Sequence, residues 1–407
     1  MSPAGQPPVA TSSHRPRWEV ADVFRLFGED YRRVHPLSWL HRQVMHDIEV
    51  CRTAVLGGPL QPCDSCDFQR PCYNSCRNRH CPKCGSLEKA RWLDQRQAEL
   101  LPVGYFHLVF TLPHELNPLI LANKKALLHL LFQAVSQTLL DFGRTHLGGQ
   151  LGFLAVLHTW DQTLGPHFHL HCLIPGGALS FDHAHWISAR NNFLFHVKAL
   201  SRVFRGKFLA GLQQALTEGQ LQFPHPAASQ ATAEAFSSLI QSLRTKDWNV
   251  YAKKPFSSPE KVLDYLGRYT HRVAISNHRI LSVENGQVTF TYRDRKNGNT
   301  LKSLTLQAGV FIRRFLLHAL PSGFMRIRHF GFLANRSKKQ NLSCCRQLLG
   351  LAAPPAPPPP KPVLELMREL TGVDFSRCPH CHRGTLIVIQ ILPAAAPSPL
   401  PPRMDSS

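Results

Sequence analysis

Apolar residues recur at helical spacing through residues 19–33 and again through 37–55, with Pro36 as a natural break. After a cysteine-rich stretch at 63–84 and a charged, helix-prone segment, the period changes. GYFHLVFTLP alternates and then turns apolar, as a strand does. A helix is predicted over about 118–145. Two strands follow, LGFLAVLHTW and HFHLHCLIP, separated by DQTLGP and closed by Pro175-Gly176-Gly177. Helical patterns return at 184–217, 231–245 and 259–273, the last opening on Pro259. RILSVENGQVTFTYRDRKNGNTLKSLTL carries turn signals at Glu284-Asn285-Gly286 and Asn297-Gly298 and predicts a three-strand meander. A helix over Ala308–Leu320 comes next, and PPAPPPPKP at 354–362 reads as a stiff polyproline linker.

This order of elements predicts an α+β protein with no internal repeat. Residues 1–18 and 393–407 are expected to be disordered. A helical and zinc-binding DNA-binding domain is expected at 19–95 and a catalytic domain at 100–345. A Pro-rich linker over 351–362 then leads to a small segment at 363–392 with its own CxxC.

Composition narrows the partner. The 407-residue chain is 43% hydrophobic yet carries a formal net charge of +21, which favours a polyanion such as nucleic acid. A membrane is a poor alternative, because no apolar run reaches the roughly 18 residues of a spanning helix. The N-terminus lacks an apolar signal core, so a cytoplasmic, DNA-associated protein is expected. There, the 12 cysteines are metal ligands or free thiols rather than disulfides.

The cysteines cluster as CDSC and then CYNSCRNRHCPKC. Cys63-x2-Cys66 and Cys81-x2-Cys84 have the spacing of a zinc ribbon, each CxxC supplying two thiolates of a tetrahedron. Cys76 and His80 could replace a ligand or serve a second ion. Arg70, Arg77, Arg79, Lys83, Lys89 and Arg91 surround the cluster, so the ribbon is expected against phosphates. The later Cys378-x2-Cys381 is half a zinc site, with His380, His382 or Cys344-Cys345 as conceivable partners.

His167, His169 and His171 fall on one face of their strand. Positions 167 and 171 would lie roughly 13 Å apart, so only a neighbouring pair can chelate. The denser apolar run favours His169 and His171. Imidazoles alone suit zinc or manganese, while phosphodiester chemistry usually adds an oxygen ligand and takes Mg²⁺ or Mn²⁺. Gln162 and Asp161 are the candidates for that third position. Tyr265 and Tyr269, four apart on a predicted helix, share a face. Lys261, Arg268 and Arg272 stand at i−4, i+3 and i+7 of Tyr265, where they could hold a phosphate. A core aromatic stripe has the same spacing, and spacing alone does not separate the two.

Taken together, CDSC…NSCRNRHCPKC, FTLPHELN, HFHLHCLIPGG, YLGRYTHRVAISN and ELTGVDFSRCPHC resemble the insertion-sequence-91 family of transposases, two-tyrosine rolling-circle enzymes of the HUH endonuclease superfamily. The resemblance covers roughly residues 20–390. It implies a zinc-binding N-terminal domain and a ferredoxin-like catalytic domain with a central antiparallel sheet. It also implies that His169 and His171 bind a divalent metal, and that Tyr265 and Tyr269 attack single-stranded DNA to form 5′-phosphotyrosine links. Phe168 and Asp161 depart from the family's pattern, which usually has proline and often glycine at those places. The expected activity is therefore metal-dependent cleavage and strand transfer on transposon-end DNA, with catalytic Mg²⁺ or Mn²⁺ and structural Zn²⁺. The rivals are a plasmid rolling-circle replication initiator, a zinc-ribbon DNA-binding protein that does not nick, and a zinc hydrolase of small molecules.

Overall fold

The computed structural model describes residues 16–189, 193–224, 227–256, 261–262, 267, 273–294, 297–352 and 361–395. The chain opens with helices α1 (Val20–Val34) and α2 (Trp39–Val50), two short strands β1 (Gly58–Pro62) and β2 (Gln69–Pro71), and α3 (Gly85–Gln97). Then come β3 (Tyr105–Thr111), α4 (Asn117–Ala122), α5 (Lys124–Phe142), β4 (Gly149–Gln150), β5 (Gly152–Trp160), β6 (Pro166–Pro175), β7 (Gly177–Ser180) and β8 (Trp186–Ser188). Helices α6 (Val197–Thr217) and α7 (Ala233–Thr245) precede β9 (Val250–Phe256), followed by the meander β10 (Ile280–Glu284), β11 (Gln287–Asp294) and β12 (Thr300–Gln307). The last described elements are α8 (Ala308–Leu316), β13 (Ile327–Gly331), α9 (Lys338–Leu348), α10 (Val363–Thr371) and β14 (Gln390–Leu392).

A five-stranded antiparallel sheet in the order β13-β5-β6-β3-β9 organises the middle of the chain. Strand alternation divides its residues between two faces. Phe106, Leu108, Phe110, Phe153, Ala155, Leu157, Phe168, Leu170 and Cys172 turn to one side and pack with apolar residues of α5, α6 and α7 in the largest core. The other face carries His107, His158, His169 and His171, together with Tyr105, Leu154, Val156 and Leu173. Those four apolar residues pack with Val262 and with Trp92 and Leu93 of α3.

A second core joins α1 and α2 to the meander and α8, with Phe24 edge-on to Phe315 at 5.4 Å and Phe290 against Phe311 at 5.8 Å. One core thus draws on both sides of the domain boundary expected near residue 95. Two local expectations are also revised, and two strands come as additions. The helix expected over 118–145 breaks at Asn123, whose side-chain amide donates to the carbonyls of Leu119 and Gln222 and accepts from the Gln222 N–H. The helix expected from 184 begins at Val197. Before it, Asp182 and Ser180 accept N–H bonds from Ala184 and His185, forming the turn of a β7–β8 hairpin. Strands β9 and β13 had no clear signal, because each lies at an edge of the sheet and mixes charged with apolar residues.

Where β13 ends against β5, Gly331 pairs with Gly152 and adopts φ 62, and a methyl on it would lie 1.6 Å from the Leu151 carbonyl oxygen. Left-handed backbone disfavours L side chains, and the carbonyl cannot give way without loosening the strand pair. Gly331→Ala is therefore expected to destabilise the fold by more than about 2 kcal/mol. Thermal unfolding checks this: an unchanged midpoint would show that the β5–β13 edge is not held as described.

Candidate metal centres

Strand pairing assembles the histidines. His158 on β5 stands opposite His169 on β6, and His171 stands opposite Val156 one step further along. The three imidazoles are buried, and their ligand atoms all lie within 4.8 Å of one another. Neighbouring groups fix the rings. Nδ1 of His169 lies 3.0 Å from the His167 carbonyl oxygen, and Nδ1 of His171 lies 2.9 Å from Nε2 of His107. Chelation through the opposite nitrogens would place the protons on Nδ1, donating to that carbonyl and to His107. His107 itself is held neutral, its pKa lowered to about 4 by burial and secondarily by Lys253. Trp160 stacks on His158 at 5.1 Å. Three imidazoles are a good donor set for Mn²⁺ or Zn²⁺ and a weaker one for Mg²⁺.

The structure brings His158 beside His169 and His171, whereas the side chains of Asp161 and Gln162, the candidates from sequence, are not in the group. The Asp161 carboxylate instead accepts from the Thr163 N–H, the Thr163 hydroxyl and the Gly165 N–H, and so shapes the β5–β6 turn. The Gln162 side chain accepts from the Arg293 N–H at 3.5 Å. This turn is also gripped from outside. Arg279 donates to the Gln162 carbonyl, Arg314 to that of Thr163, and His318 to that of Leu164. Leu164 takes φ 64 and buries its side chain in the second core. The core of α1, α2 and the meander therefore holds the turn whose two stems bear His158 and His169. Phe168, a departure from the family pattern, points into the opposite core, away from the imidazoles.

The cysteines partition differently from the single ribbon expected. Cys81 and Cys84 converge with Cys76 and with Cys51 at the end of α2, all four sulfurs within 4.8 Å. Cys63 and Cys66 do not join them and lie with Cys378 and Cys381. The reason lies in the knuckle at 76–81. Arg77 adopts φ 53, and the Asn78 and Cys81 N–H groups close a tight turn that points its thiols toward α2. His80 is not a ligand in either group; its Nε2 accepts from the Leu320 N–H, and burial among Arg79, Arg326 and Lys124 lowers its pKa to about 3. Cys344 donates to the His183 carbonyl and Cys345 is buried in a small apolar cluster, so neither completes the Cys378 site.

Of the cations expected on DNA, at least three are committed to the fold, Arg70 donating to the Gln61 side-chain oxygen and to the Phe375 carbonyl. Lys83 pairs with Glu19 at 2.5 Å and donates to the Cys51 carbonyl, while Arg79 donates to the carbonyls of Phe324 and Pro321. Arg77 and Lys261 are exposed. Tyr265, Tyr269, Arg268 and Arg272 lie outside the described residues. Val262 and Gly267, on either side of Tyr265 in sequence, are described and helical. Val262 packs on the histidine-bearing face, and Gly267 lies against Leu93 and Lys89 of α3.

Residues 23–112 match the family described as "Transposase zinc-binding domain", and residues 152–341 match the one described as "Putative transposase". The class is thus a transposase, an enzyme acting on DNA, with a zinc-binding N-terminal region that the cysteine clusters support. The chain is 48% identical over 378 residues to "Putative transposase y4qJ" of Sinorhizobium fredii (strain NBRC 101917 / NGR234), covering 92% of this chain and 95% of that one. It is 31% identical over 354 residues to the transposase for insertion sequence element IS801 of Pseudomonas savastanoi pv. phaseolicola, covering 83% and 82% respectively. No solved structure matches. The chain belongs to the insertion-sequence-91 family of transposases. Among the described residues, no helix is long and apolar enough to cross a membrane.

If the imidazole cluster holds one cation, His158→Ala should weaken Mn²⁺ binding as severely as His169→Ala. His107→Ala, which only orients His171, should cost roughly 10–100-fold. Gln162→Ala should leave the affinity within about twofold, its side chain lying outside the cluster. Mn²⁺ titration by electron paramagnetic resonance checks all three, and the assignment fails if His158→Ala binds like wild type while Gln162→Ala does not.

Proposed function

We propose that this transposase cuts and rejoins single-stranded DNA at transposon ends by tyrosine transesterification, in rolling-circle transposition. Tyr265 and Tyr269 are the nucleophiles, and His158, His169 and His171 hold the catalytic cation. The observation that carries the reading is the imidazole cluster on an antiparallel sheet face against which Val262 packs, beside the pair's position in the sequence. An antiparallel five-stranded sheet backed by α5 and α6 also suits the ferredoxin-like HUH fold that the family resemblance implies.

The phenol oxygen of one tyrosine forms a bond to the scissile phosphorus and the P–O3′ bond breaks. The departing 3′ oxygen leaves as a hydroxyl, taking up the proton that the phenol loses. The product is a 5′-phosphotyrosine, so the energy of the broken ester is retained and no nucleotide triphosphate is consumed. Attack by a free 3′-hydroxyl on the phosphotyrosine reverses the step and joins strands, and the second tyrosine serves the second cleavage. A bound Mn²⁺ or Mg²⁺ supplies Lewis-acid polarisation of the phosphate. The three buried imidazoles would hold that cation, and exposed lysines would present charge to the DNA backbone. Lys261 is exposed at the start of the tyrosine segment, and Lys253 is exposed on β9, which flanks the histidine face. The excess of 47 Lys and Arg over 26 Asp and Glu supplies sequence-independent affinity for DNA.

The test is covalent capture. Wild-type protein incubated with single-stranded oligonucleotides from the element's ends, with Mn²⁺, should form a denaturant-resistant adduct. Tyr265→Phe and Tyr269→Phe should each retain partial cleavage and lose complete strand transfer, and the double variant should form no adduct. His169→Ala should bind the oligonucleotide nearly as well as wild type but not cleave it. Undiminished adduct in the double variant would overturn the reading.

A further inference from the structure

Residues 58–72 and 376–392 build one small structure from two distant parts of the chain. Strand β14 pairs antiparallel with β1, Gly58 opposite Leu392, and β1 pairs with β2 on its other side. Beyond the paired strands the backbone stays in register: the Ile387 N–H donates to the Pro62 carbonyl and the Ile389 N–H to that of Leu60. At the tip, two CxxC turns face each other. The Asp64 N–H donates to the Thr385 carbonyl, and the Asp64 carboxylate accepts from the Thr385 N–H. The Cys63 and Cys381 sulfurs are 3.7 Å apart, as are those of Cys66 and Cys378, although 318 and 312 residues separate them in sequence.

Each turn has the form of a metal knuckle. The Ser65 N–H points at the Cys63 sulfur and the Gly384 N–H at that of Cys381, the backbone-to-sulfur bonds that stabilise thiolates. Gly384 has no room for a side chain: a methyl there would lie 2.3 Å from the Cys63 sulfur. Cys378 is buried and Cys63, Cys66 and Cys381 are half-buried, and among the described residues none of the four belongs to one of the larger apolar clusters. All four are free thiols within 4.8 Å of one another. Four sulfurs gathered this closely without disulfides, on two knuckles, form the donor set of a closed tetrahedral zinc site.

We infer that Cys63, Cys66, Cys378 and Cys381 bind a second structural zinc, which fastens the C-terminal segment across the N-terminal zinc region as a clasp. The matched zinc-binding domain ends at residue 112, so half of this site lies far outside it. The clasp also has mechanical reach. The segment it fastens includes α10, which packs on α3, and α3 in turn meets Gly267 through Leu93 and Lys89. A cross-link that closes a loop of some three hundred residues removes much chain entropy from the unfolded state, so the ion holds both ends of the chain in place. This inference does not depend on the tyrosine chemistry.

Zinc counting on the full-length protein tests it. In a His169→Ala background, which disables the imidazole cluster as a third place for zinc, the protein should carry two zinc ions per chain. Cys378→Ser with Cys381→Ser should carry one, Cys63→Ser with Cys66→Ser should carry one, and the fourfold variant should still carry one, because both pairs serve the same ion. Cys81→Ser with Cys84→Ser should lose the other ion. Gly384→Ala, which keeps every thiol but intrudes on Cys63, should release one zinc to a chelator at least tenfold faster than wild type while the second stays bound. Two ions retained without Cys378 and Cys381 would overturn the clasp. So would loss of the same ion from the Cys63/Cys66 and Cys81/Cys84 variants, which would restore a single N-terminal ribbon.

Discussion

The antiparallel pairing of β5 and β6 across the turn at Asp161–Gly165 is the constraint on which the rest depends. Its register decides which imidazoles meet, and the two-residue period of a strand decides which face they share. The same alternation drives Phe168, Leu170 and Cys172 into the core against α5 and α6, so the burial that stabilises the sheet also fixes the imidazoles in place. A slip of one residue would send the histidines into that core and the apolar residues onto the open face. The turn is correspondingly over-determined. Three donors grip three successive carbonyls, and Leu164 accepts a left-handed backbone in order to anchor in the second core.

That anchoring connects parts of the molecule that look separate along the chain. The second core contains Cys51 and Cys81, which belong to the first thiol cluster, as well as Leu164 beside the histidines. Loss of zinc from the first cluster would therefore loosen the support of the histidine turn. Lys83 strengthens the same link, bridging Glu19 before α1 and the Cys51 carbonyl after α2. It serves as a structural cation where a phosphate contact was expected from its sequence neighbourhood.

The legible and illegible parts of the molecule divide along a physical line. The apolar alternation of HFHLHCLIP disclosed a strand and the shared face of His169 and His171, because strand period is a local property. His158 was not legible: it sits in an apolar strand where a lone histidine has no distinctive context, and only register brings it beside the others. The cysteine spacings announced a zinc-binding region but did not disclose which thiols the fold gathers together. Two CxxC motifs close in sequence look like one ribbon, whereas the knuckle geometry around Arg77 sends one pair toward α2 and the ribbon strands bring the other to the far end of the chain. The strands β9 and β13 escaped notice because edge strands tolerate charge. Tyr265 and Tyr269 rest on spacing, the family resemblance and the placement of Val262 and Gly267, their neighbours in the sequence.

One competing nucleophile deserves exclusion by chemistry: Tyr251 on β9 is 54% exposed and lies in register with Val109, on the histidine-bearing side of the sheet. The most direct measurement is therefore mass-spectrometric mapping of the peptide that carries the nucleotide after cleavage of a single-stranded transposon-end oligonucleotide. A 5′-phosphate ester on Tyr265 or Tyr269 is expected, formed with Mn²⁺ and absent when a chelator removes the metal. Attachment to Tyr251 or to any other residue, or a 3′ linkage, would contradict it.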